Sequence, residues 1–451
     1  MRFSELDGAR IGVWGAGREI RSLARQVAAR LPQAGIAVVA HDGNPPADVR
    51  TQLGFPEARL AGPGEQADAL VHCDIVVRSP GVSTHRPELA AVRDAGVPVT
   101  TATGLWLAER GGANVVGVTG TKGKSTTAAM LAHLLGACDR RAMLAGNIGV
   151  PALDLLGTDP DAIAVVELSS FQIADLDTGP RIALVTNVYR EHLDWHGSLE
   201  RYRADKLRLL DLPGVELCVL GHRDEVLRDL APGTAARRWF GTPDGWDADA
   251  DGALLLGTEL RLAAGEVPLR GVHNALNACA ALTAVEALGI RPAPAEALAG
   301  FEPLAHRLET VAEADGVMWV DDSISTTPES TLAALESFGG EPVILLAGGQ
   351  DREQDFAALA RELARRARMP NADAKLVAMP TTGPRLLAEA RAAGLPASHA
   401  IDAAGLDEAV AEARALAGPG AVVLLSPAAP SFDRFRDFEE RGERFAELAR
   451  G

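Results

Sequence analysis

The chain has 451 residues, with 61 acidic against 44 basic side chains and a formal net charge of −17. Its length predicts about three domains, because a single hydrophobic core does not grow to this size. The negative charge argues against a nucleic-acid-binding protein, which needs clustered cations to meet the phosphate backbone. An anionic ligand must therefore be bound by local cations, metal ions or helix N-termini.

The cysteines are far apart in the sequence, at Cys73, Cys138, Cys218 and Cys279. Without paired spacing they predict neither a zinc ribbon nor a disulfide framework, and they favour a reducing compartment. The sequence has no apolar run of membrane-spanning length, and its first residues lack the apolar core of a signal peptide. We therefore expect a cytoplasmic protein without a membrane or nucleic-acid partner.

The first stretch alternates strands and helices, which is typical of a parallel α/β sheet. A strand from Arg10 is followed by a helix from about Glu19 to Arg30, with further strands predicted at residues 37–40 and 74–77. The first strand and its turn carry Gly12, Gly15 and Gly17. Glycine is absent at position 20, so the spacing is not the dinucleotide-binding GxGxxG. A sugar-nucleotide pocket is favoured over an NAD site.

A phosphate-binding turn is the strongest motif in the sequence. Between an apolar strand and a helical run the chain reads Gly120-Thr121-Lys122-Gly123-Lys124-Ser125-Thr126. The glycines let backbone N–H groups line an anion cradle, and the helix presents its positive end to the same phosphates. Lys124 is placed to reach the β- and γ-phosphates, and Ser125 to ligate Mg²⁺. Val118 replaces the first glycine of the full P-loop, so the match is to a shortened variant.

Further polar residues follow the strands of this second stretch. Glu167 ends a predicted strand at residues 162–167, where either a Mg²⁺ ligand or an ordinary strand-end acid fits. The run from Glu191 through His192 and Asp194 to His196 is a polar constellation not expected in the core. A solvated loop is its simpler explanation. From spacing alone, Lys206 is a solvated surface lysine on a helix beginning near Leu199.

Other candidates lie near the predicted hinge at residues 292–303. His273 and Asn274 open an Ala-rich helix, where Asn274 can act as N-cap or bind a nucleotide. Arg307 can bind phosphate bidentately. In the third stretch, polar loops beginning at Asp321, Gly348 and Ser426 each follow a strand. We expect these loops to meet at one edge of one sheet and to form a ligand crevice.

Taken in order, these motifs resemble those of the Mur ligases, and within them the glutamate-adding type. The resemblance covers the whole chain and rests on residues 120–126, 146–149, 167–172, 187, 191–194, 202–206, 273–277, 306–307 and 425–428. It implies an α/β fold of three domains. These are an N-terminal Rossmann-like domain for the UDP substrate (1–105), a central P-loop ATPase domain with a parallel sheet (106–304) and a C-terminal Rossmann-like domain for glutamate (305–451).

The implied reaction adds glutamate to UDP-N-acetylmuramoyl-L-alanine through an acyl phosphate. It belongs to peptidoglycan precursor synthesis, and so to cell-wall biogenesis, cell shape and cell division. The alternatives are the same reaction with the other glutamate enantiomer, a folate polyglutamating enzyme and a nucleotide switch without ligase activity. We expect a monomer.

The resemblance also implies residue roles. Lys124, His192 and Lys206 are the expected catalytic residues. ATP is expected at Gly120, Thr121, Lys122, Gly123, Lys124, Ser125, Thr126, Asn274, Arg307 and Asp322. Two Mg²⁺ ions are expected, one bound by Ser125 and Glu167 and the other by His192 and a carbamylated Lys206. For Lys206, this role implied by the resemblance replaces the interpretation as a surface residue. The expected substrate contacts are Asn147, Ser323, Thr326, Arg352, Ser431, Phe432 and Phe438, with Gly15, Ser79 and Gly81 added from topology.

The glutamate pocket departs from the pattern of enzymes that add D-glutamate. Those enzymes typically show Asp-Ser-Lys-Ala-Thr after the first C-terminal strand and a lysine in the Gly-Gly loop. Here Ile324 replaces the first cation, Arg352 stands in place of the second, and Phe432 follows Ser431 where a smaller residue is usual. Inverting the chiral centre moves both carboxylates of glutamate to other anchors, so we predict L-glutamate as the substrate.

Overall fold

The computed structural model describes residues 1–46, 48–230, 233–352, 354–369 and 371–451, except for the side chain of Asp194. The chain folds into two compact units. Unit 1 comprises Met1–Asp249, Ala253–Ala263 and Leu276–Ala299, and unit 2 comprises Ala250–Gly252, Ala264–Ala275 and Gly300–Gly451. Among the described residues, no helix combines the length and the apolar character needed to cross a membrane.

The first part of unit 1 is a five-stranded sheet. Its strands are β1 (Arg10–Trp14), β2 (Gly35–Ala40), β3 (Arg59–Ala61), β4 (Ile75–Arg78) and β5 (Val99–Thr100). Its helices are α1 (Arg18–Arg30), α2 (Val49–Gln52), α3 (Gln66–Leu70), α4 (Pro87–Asp94) and α5 (Ala102–Arg110). All neighbouring strands are parallel, in the order β3-β2-β1-β4-β5. The order reverses between β1 and β4, where parallel sheets of this kind bind ligands.

The second part of unit 1 is a six-stranded parallel sheet in the order β11-β10-β9-β6-β8-β7. Its strands are β6 (Val115–Thr119), β7 (Ala142–Gly146), β8 (Ile163–Glu167), β9 (Ile182–Val185), β10 (Leu217–Gly221) and β11 (Ala236–Phe240). Its helices are α6 (Lys124–Ala137), α7 (Ser170–Ile173), α8 (Leu193–His196), α9 (Leu199–Leu207) and α10 (Glu225–Arg228). Strands β8, β6 and β9 are neighbours and fully buried, so the loops that follow them lie together.

A small antiparallel sheet follows, which the sequence analysis did not predict. It consists of β12 (Trp246–Ala248), β13 (Leu254–Leu256) and β14 (Glu259–Leu262). Its strands have three or four residues each, too short for a clear alternating pattern. The next helices are α11 (Val272–Ala287) and α12 (Pro294–Leu298), so part of the predicted hinge at residues 292–303 is helical.

Unit 2 contains a six-stranded sheet in the order β15-β16-β20-β17-β18-β19. Its strands are β15 (Glu309–Ala314), β16 (Val317–Asp321), β17 (Val343–Ala347), β18 (Ala374–Ala378), β19 (Ala400–Asp402) and β20 (Val422–Leu425). Its helices are α13 (Pro328–Glu336), α14 (Ala357–Arg366), α15 (Gly383–Ala392), α16 (Leu406–Leu416) and α17 (Phe438–Arg450). Edge strand β15 is antiparallel and the other strands are parallel.

The predicted α/β class, with parallel sheets in a multi-domain chain, is confirmed. Buried apolar strands alternate with helices that bury one face, as in α1, where Ile20, Leu23 and Val27 are fully buried at helical spacing. Short 3₁₀ helices complete the secondary structure at Phe3–Leu6, Ala152–Leu155, Arg208–Asp211, Ala264–Glu266 and Ala397–His399. The boundaries of the three predicted domains stay a prediction.

Candidate active site

The turn between β6 and α6 is a tight loop that requires its glycines. Gly120 has φ +148° and Gly123 has φ +81°, backbone conformations that residues with a side chain disfavour. A Cβ at Gly120 would overlap the hydroxyl of Thr186, and one at Gly123 would overlap the side-chain amide of Asn277. Both positions are therefore restricted by space as well as by conformation.

The loop after β9 holds this turn through a network of hydrogen bonds. The backbone N–H of Thr121 donates to Asn187 O at 2.8 Å, and that of Lys122 donates to Asn187 Oδ1 at 2.8 Å. Thr186 Oγ1 donates to Lys122 O at 2.6 Å, and Lys122 Nζ donates to Glu191 Oε1 at 2.8 Å. The shape of the turn thus depends on two neighbouring strand ends.

The first turn of α6 contains three predicted ATP contacts. Lys124 begins the helix, and its Nζ donates back to Thr121 O at 3.0 Å. Ser125 and Thr126 follow and are 7% and 1% exposed. The ammonium group of Lys124 therefore lies over the turn whose backbone N–H groups are expected to bind phosphate.

Glu167 ends β8 beside the strand that leads into the turn, since it pairs with Val118. It is fully buried, and its Oε1 accepts from Asn147 Nδ2 at 3.0 Å. Its Oε2 is buried and has no hydrogen-bond partner among the described residues. A buried carboxylate oxygen without a partner is costly in the absence of a cation, so this donor set fits a divalent ion.

Lys206 is not a surface residue. It lies on α9, as predicted, but it is 2% exposed and its Nζ donates to Gly120 O at 2.8 Å. Burial, reinforced by the charge of Lys124, lowers the pKa of Lys206 well below its ordinary value. The surface interpretation from spacing was therefore wrong, because a single lysine on a short polar helix does not show which face is covered.

The polar run after β9 is divided between two environments. His192, in a left-handed conformation (φ +57°), directly precedes α8, and its side chain is 43% exposed. His196 is fully buried, with Nδ1 at 2.6 Å from Asp205 Oδ2 and Nε2 at 3.0 Å from Ser170 Oγ. The expectation that this run lies outside the core was wrong for His196. The side chain of Asp194 lies outside the described part of the chain.

Three of the predicted UDP-sugar contacts, Gly15, Ser79 and Gly81, lie at the switch point of the first sheet. Gly15 has φ +91°, and its built Cβ would lie 2.8 Å from Ser79 Cβ, so the loops after β1 and β4 meet there. Gly81 follows and is exposed. Asn147 is also exposed, in the loop after β7.

The sequence analysis missed two arginines near these loops. Arg18 donates to the carbonyl oxygens of Gly146 at 2.6 Å and Asn147 at 3.0 Å, but an arginine on a helix carries no signal of such contacts. Arg78 is fully buried at the end of β4 and forms an ion pair with Asp175. A cation at the end of an apolar strand could have been noticed.

In unit 2, the three polar loops meet at one edge of the sheet, as predicted. Ser426 Oγ donates to Asp322 Oδ2 at 2.7 Å, and the backbone N–H of Gln350 donates to Pro430 O at 2.7 Å. Burial raises the pKa of Asp322 to about 6. Strands β16, β20 and β17 are adjacent and parallel, which is why their loops converge.

The predicted nucleotide contact Arg307 is held in an unusual backbone segment. Its neighbours His306 and Leu308 have φ +62° and +47°, and its Nε is buried without a hydrogen-bond partner among the described residues. Burial and the charge of Arg307 lower the pKa of His273 to about 4. Asn274 is not the N-cap, since α11 begins at Val272.

The predicted glutamate contacts are partly accessible and partly buried. Arg352 and Phe432 are exposed, with the guanidinium carbon 5.9 Å from the ring centroid. Ser323 and Ser431 are buried, while Ile324, Thr326 and Phe438 are half-buried.

Arg441, in α17, was missed by the sequence analysis. It is 2% exposed and donates to Ser323 Oγ at 2.9 Å, Ser323 O at 2.9 Å and Ala429 O at 3.2 Å. It thereby joins two of the three polar loops. The hydroxyl of Ser323 in turn donates to Phe438 O at 2.8 Å, so Ser323 has a structural role in the described residues.

Comparisons with known proteins agree with this arrangement. The model of the Mur ligase middle domain matches residues 118–285, and that of the Mur ligase glutamate ligase domain matches residues 306–429. A UDP-N-acetylmuramoyl-L-alanine–L-glutamate ligase from Xanthomonas axonopodis pv. citri (strain 306) is 42% identical over 465 aligned residues, covering 100% of this chain and 97% of the relative. The chain belongs to the Mur ligase family. The predicted enzyme class, an ATP-dependent ligase, is confirmed with the family.

A further relative and two solved structures are similar over nearly the whole Mur ligase chain. The ligase of the same name from Micromonospora sp. (strain ATCC 39149 / NRRL 15099 / SCC 1413) is 41% identical, covering 100% of this chain and 98% of the relative. A UDP-N-acetylmuramate-alanine ligase from Thermotoga maritima superposes with a TM-score of 0.60 at 20% identity, covering 98% and 99% of the two chains. A MurF ligase from Thermotoga maritima in complex with ADP superposes with a TM-score of 0.59 at 18% identity, covering 99% of this chain and 96% of that chain. At these identities the structures support the fold alone.

Proposed function

We propose that this Mur ligase joins L-glutamate to UDP-N-acetylmuramoyl-L-alanine, with conversion of ATP to ADP and phosphate, in cytoplasmic synthesis of peptidoglycan precursors. The observation that carries the proposal is the full-length similarity to relatives that bear this name. Lys124, together with the buried Glu167 and Lys206, lies around one glycine turn, and this set supports catalysis rather than a switch without ligase activity.

We propose that residues 1–105 bind the UDP-sugar, residues 106–304 bind ATP and residues 305–451 bind glutamate. Gly15, Ser79, Gly81 and Asn147 would contact the UDP-sugar acid. ATP would be held by the phosphate-binding turn with Asn274, Arg307 and Asp322. The unpartnered Nε of Arg307 supports its role, because phosphate oxygens would satisfy it.

The reaction needs two group transfers. A substrate carboxylate oxygen attacks the γ-phosphorus of ATP, the bond from that phosphorus to the β,γ-bridging oxygen breaks, and ADP leaves. The glutamate amine then attacks the acyl carbon and loses a proton to solvent, the amide C–N bond forms, the bond from that carbon to the phosphate-bearing oxygen breaks, and inorganic phosphate leaves. Lys124 would hold the phosphoryl oxygens in place. Its positive charge would stabilise the negative charge that these oxygens carry during transfer.

The donor set supports two Mg²⁺ sites, one on Ser125 and Glu167 and one on His192 and Lys206. When bound, Mg²⁺ would neutralise phosphate charge and orient the phosphoryl group. The lowered pKa of Lys206 favours the neutral, nucleophilic form of its amine. Its nitrogen could then attack CO₂ with loss of a proton, giving a carbamate whose oxygens can ligate the ion.

The choice of L-glutamate is supported by the three departures in the pocket. Ile324 cannot pair with a carboxylate, whereas Arg352 can bind one bidentately. The Arg352 guanidinium lies beside the exposed Phe432 ring at 5.9 Å, so cation and aromatic wall form one surface. Ser323, Thr326, Ser431 and Phe438 would complete the pocket. The wrong enantiomer would leave one charge unpaired and partly desolvated.

Phosphate release with UDP-N-acetylmuramoyl-L-alanine and each glutamate enantiomer tests this function. We expect turnover with L-glutamate and roughly a thousandfold lower kcat/KM with D-glutamate, because a misplaced carboxylate would be left unpaired and partly desolvated in the bound complex. A preference for D-glutamate would mean that the enzyme adds the D-enantiomer. The departures at Ile324, Arg352 and Phe432 would then have no effect on the choice of enantiomer. Lack of phosphate release with either enantiomer would remove the ligase proposal for this substrate.

A further inference from the structure

Residues 79–83, here called the substrate loop, are tied to one tryptophan of the second sheet's loops. Trp195, in α8, is 9% exposed. Its indole Nε1 donates to Pro80 O at 3.1 Å and to Gly81 O at 3.2 Å. In return, Ser83 Oγ donates to Trp195 O at 2.7 Å. Both the indole N–H and the backbone carbonyl of Trp195 therefore bind the loop that is expected to hold the UDP-sugar.

The indole ring is also fixed on its faces. It stacks on Phe171 with centroids 4.6 Å apart and planes inclined by 25°, and Arg78 Cζ lies 5.4 Å from its centroid. Arg78 is fully buried and donates to Pro80 O at 3.3 Å and Val82 O at 2.9 Å. The substrate loop is therefore held from two sides, by Arg78 of its own sheet and by Trp195.

The same short helix is connected to both proposed ligands of the second Mg²⁺. His192 directly precedes α8, and His196 ends it. His196 Nδ1 lies 2.6 Å from Asp205 Oδ2, and Asp205 precedes Lys206 on α9. His196 Nε2 lies 3.0 Å from Ser170 Oγ, so both ring nitrogens have hydrogen-bond partners. One short helix therefore connects the substrate loop to the proposed site of phosphoryl transfer.

We propose that Trp195 is a positioning residue that fixes the distance between the substrate loop and the phosphoryl-transfer site, and thereby selects the length of the nucleotide-sugar acid. The proposal rests on the proposed function, because a fixed distance matters only if the loop holds a UDP-sugar whose far carboxylate is phosphorylated. Reacting atoms must approach to about 3–3.5 Å, and a misplacement of about 1 Å can cost about a hundredfold in rate. One residue spans about 3.3–3.6 Å, so UDP-N-acetylmuramate, which lacks the alanyl residue, would fall short.

The test compares kcat/KM for UDP-N-acetylmuramoyl-L-alanine and for UDP-N-acetylmuramate in the full chain. Trp195→Phe keeps a ring against Phe171 but removes the Nε1 donor. We expect kcat/KM for UDP-N-acetylmuramoyl-L-alanine divided by kcat/KM for UDP-N-acetylmuramate to fall about tenfold or more, mainly because kcat for the longer acid falls. KM for ATP should stay within about twofold of the wild-type value. A general loss of structure would change both substrates and ATP alike.

Trp246→Phe is the matched control, because Trp246 is 3% exposed and its Nε1 has no hydrogen-bond partner among the described residues. It should keep the wild-type ratio. If Trp195→Phe does not fold, Ser83→Ala removes a bond from the loop side and must give the same shift. A ratio within about twofold of the control in a folded Trp195→Phe or Ser83→Ala variant would overturn the inference. Wild-type enzyme that releases no phosphate with the longer acid would instead overturn the proposed function.

Discussion

Lys206 shows how one residue's environment can change its chemistry. Its amine lies next to Gly120 O in the phosphate-binding turn and is almost fully buried. Desolvation disfavours the ammonium form, and the positive charge of Lys124 acts in the same direction. The neutral amine is therefore favoured, which is the form that the proposed carbamate requires.

We expect Lys206→Arg to lower kcat by about a hundredfold or more, although charge and length are nearly kept. Arginine stays protonated and cannot form a carbamate, and the ion would lose an oxygen ligand. Phosphate release measures the effect, and Lys375→Arg serves as control because Lys375 belongs to unit 2, where its Nζ donates to Leu416 O, and it is not among the proposed site residues. Removing CO₂ and bicarbonate should also slow the wild type reversibly. A Lys206→Arg enzyme with more than about a tenth of wild-type activity would contradict the carbamate.

At the scale of elements, α17 must pass close to β16. A Cβ at Gly442 would overlap His306 Nδ1 and Asp321 Oδ2, and these two atoms form a hydrogen bond of 2.7 Å. Glycine in the middle of a helix is otherwise unfavourable. The helix therefore keeps glycine here to leave room for the pair beside Arg307.

Gly442→Ala should lower the free energy of unfolding by about 1–3 kcal/mol, because overpacking outweighs the gain in helix propensity. Gly136→Ala in α6 is the matched control, since a Cβ there meets nothing within 4 Å. That variant should be unchanged or stabilised by up to about 1 kcal/mol. Urea unfolding of both variants measures the difference. Equal stabilisation by the two substitutions would show that the space around Gly442 is not limiting.

At the scale of the whole molecule, the net charge of −17 leaves the binding of anionic substrates to a few local cations. Lys122 and Lys124 lie in unit 1, and Arg307 lies in unit 2. In unit 2, the hydrogen bond from His306 to Asp321 raises the pKa of the imidazole, with the charges of Asp321, Glu309 and Glu439 adding to it.

Since the folded pKa of His306 is raised, its contribution to stability is fully present below the unfolded value of about 6.5 and is lost as pH rises through the folded value. We expect the thermal midpoint of His306→Gln to fall less between pH 6 and pH 8.5 than that of the wild type. Other titrating groups are common to both proteins. His72→Gln, at an exposed position, is the control, and its thermal midpoint should change with pH as that of the wild type does. Parallel curves for His306→Gln and the wild type would exclude this linkage.

Features that depend on neighbouring residues in the sequence were predictable. The strands from Val115 and Ile163 are continuous apolar runs. The phosphate-binding turn has positive φ angles at Gly120 and Gly123, a local conformation that favours glycine. Convergence of the polar loops in unit 2 also followed from the sequence, because parallel strands share a carboxyl edge. The resemblance to the Mur ligases rested on the order of these local motifs along the chain.

Only the tertiary structure decided which side chains are covered and which distant loops touch. Lys206 and His196 are buried because helices α8 and α9 pack under the phosphate-binding turn and against α7, and no local pattern records that packing. Trp195 meets a loop more than a hundred residues earlier in the chain. Such contacts join the loops of two different sheets, and they depend on residues that local periodicity does not relate.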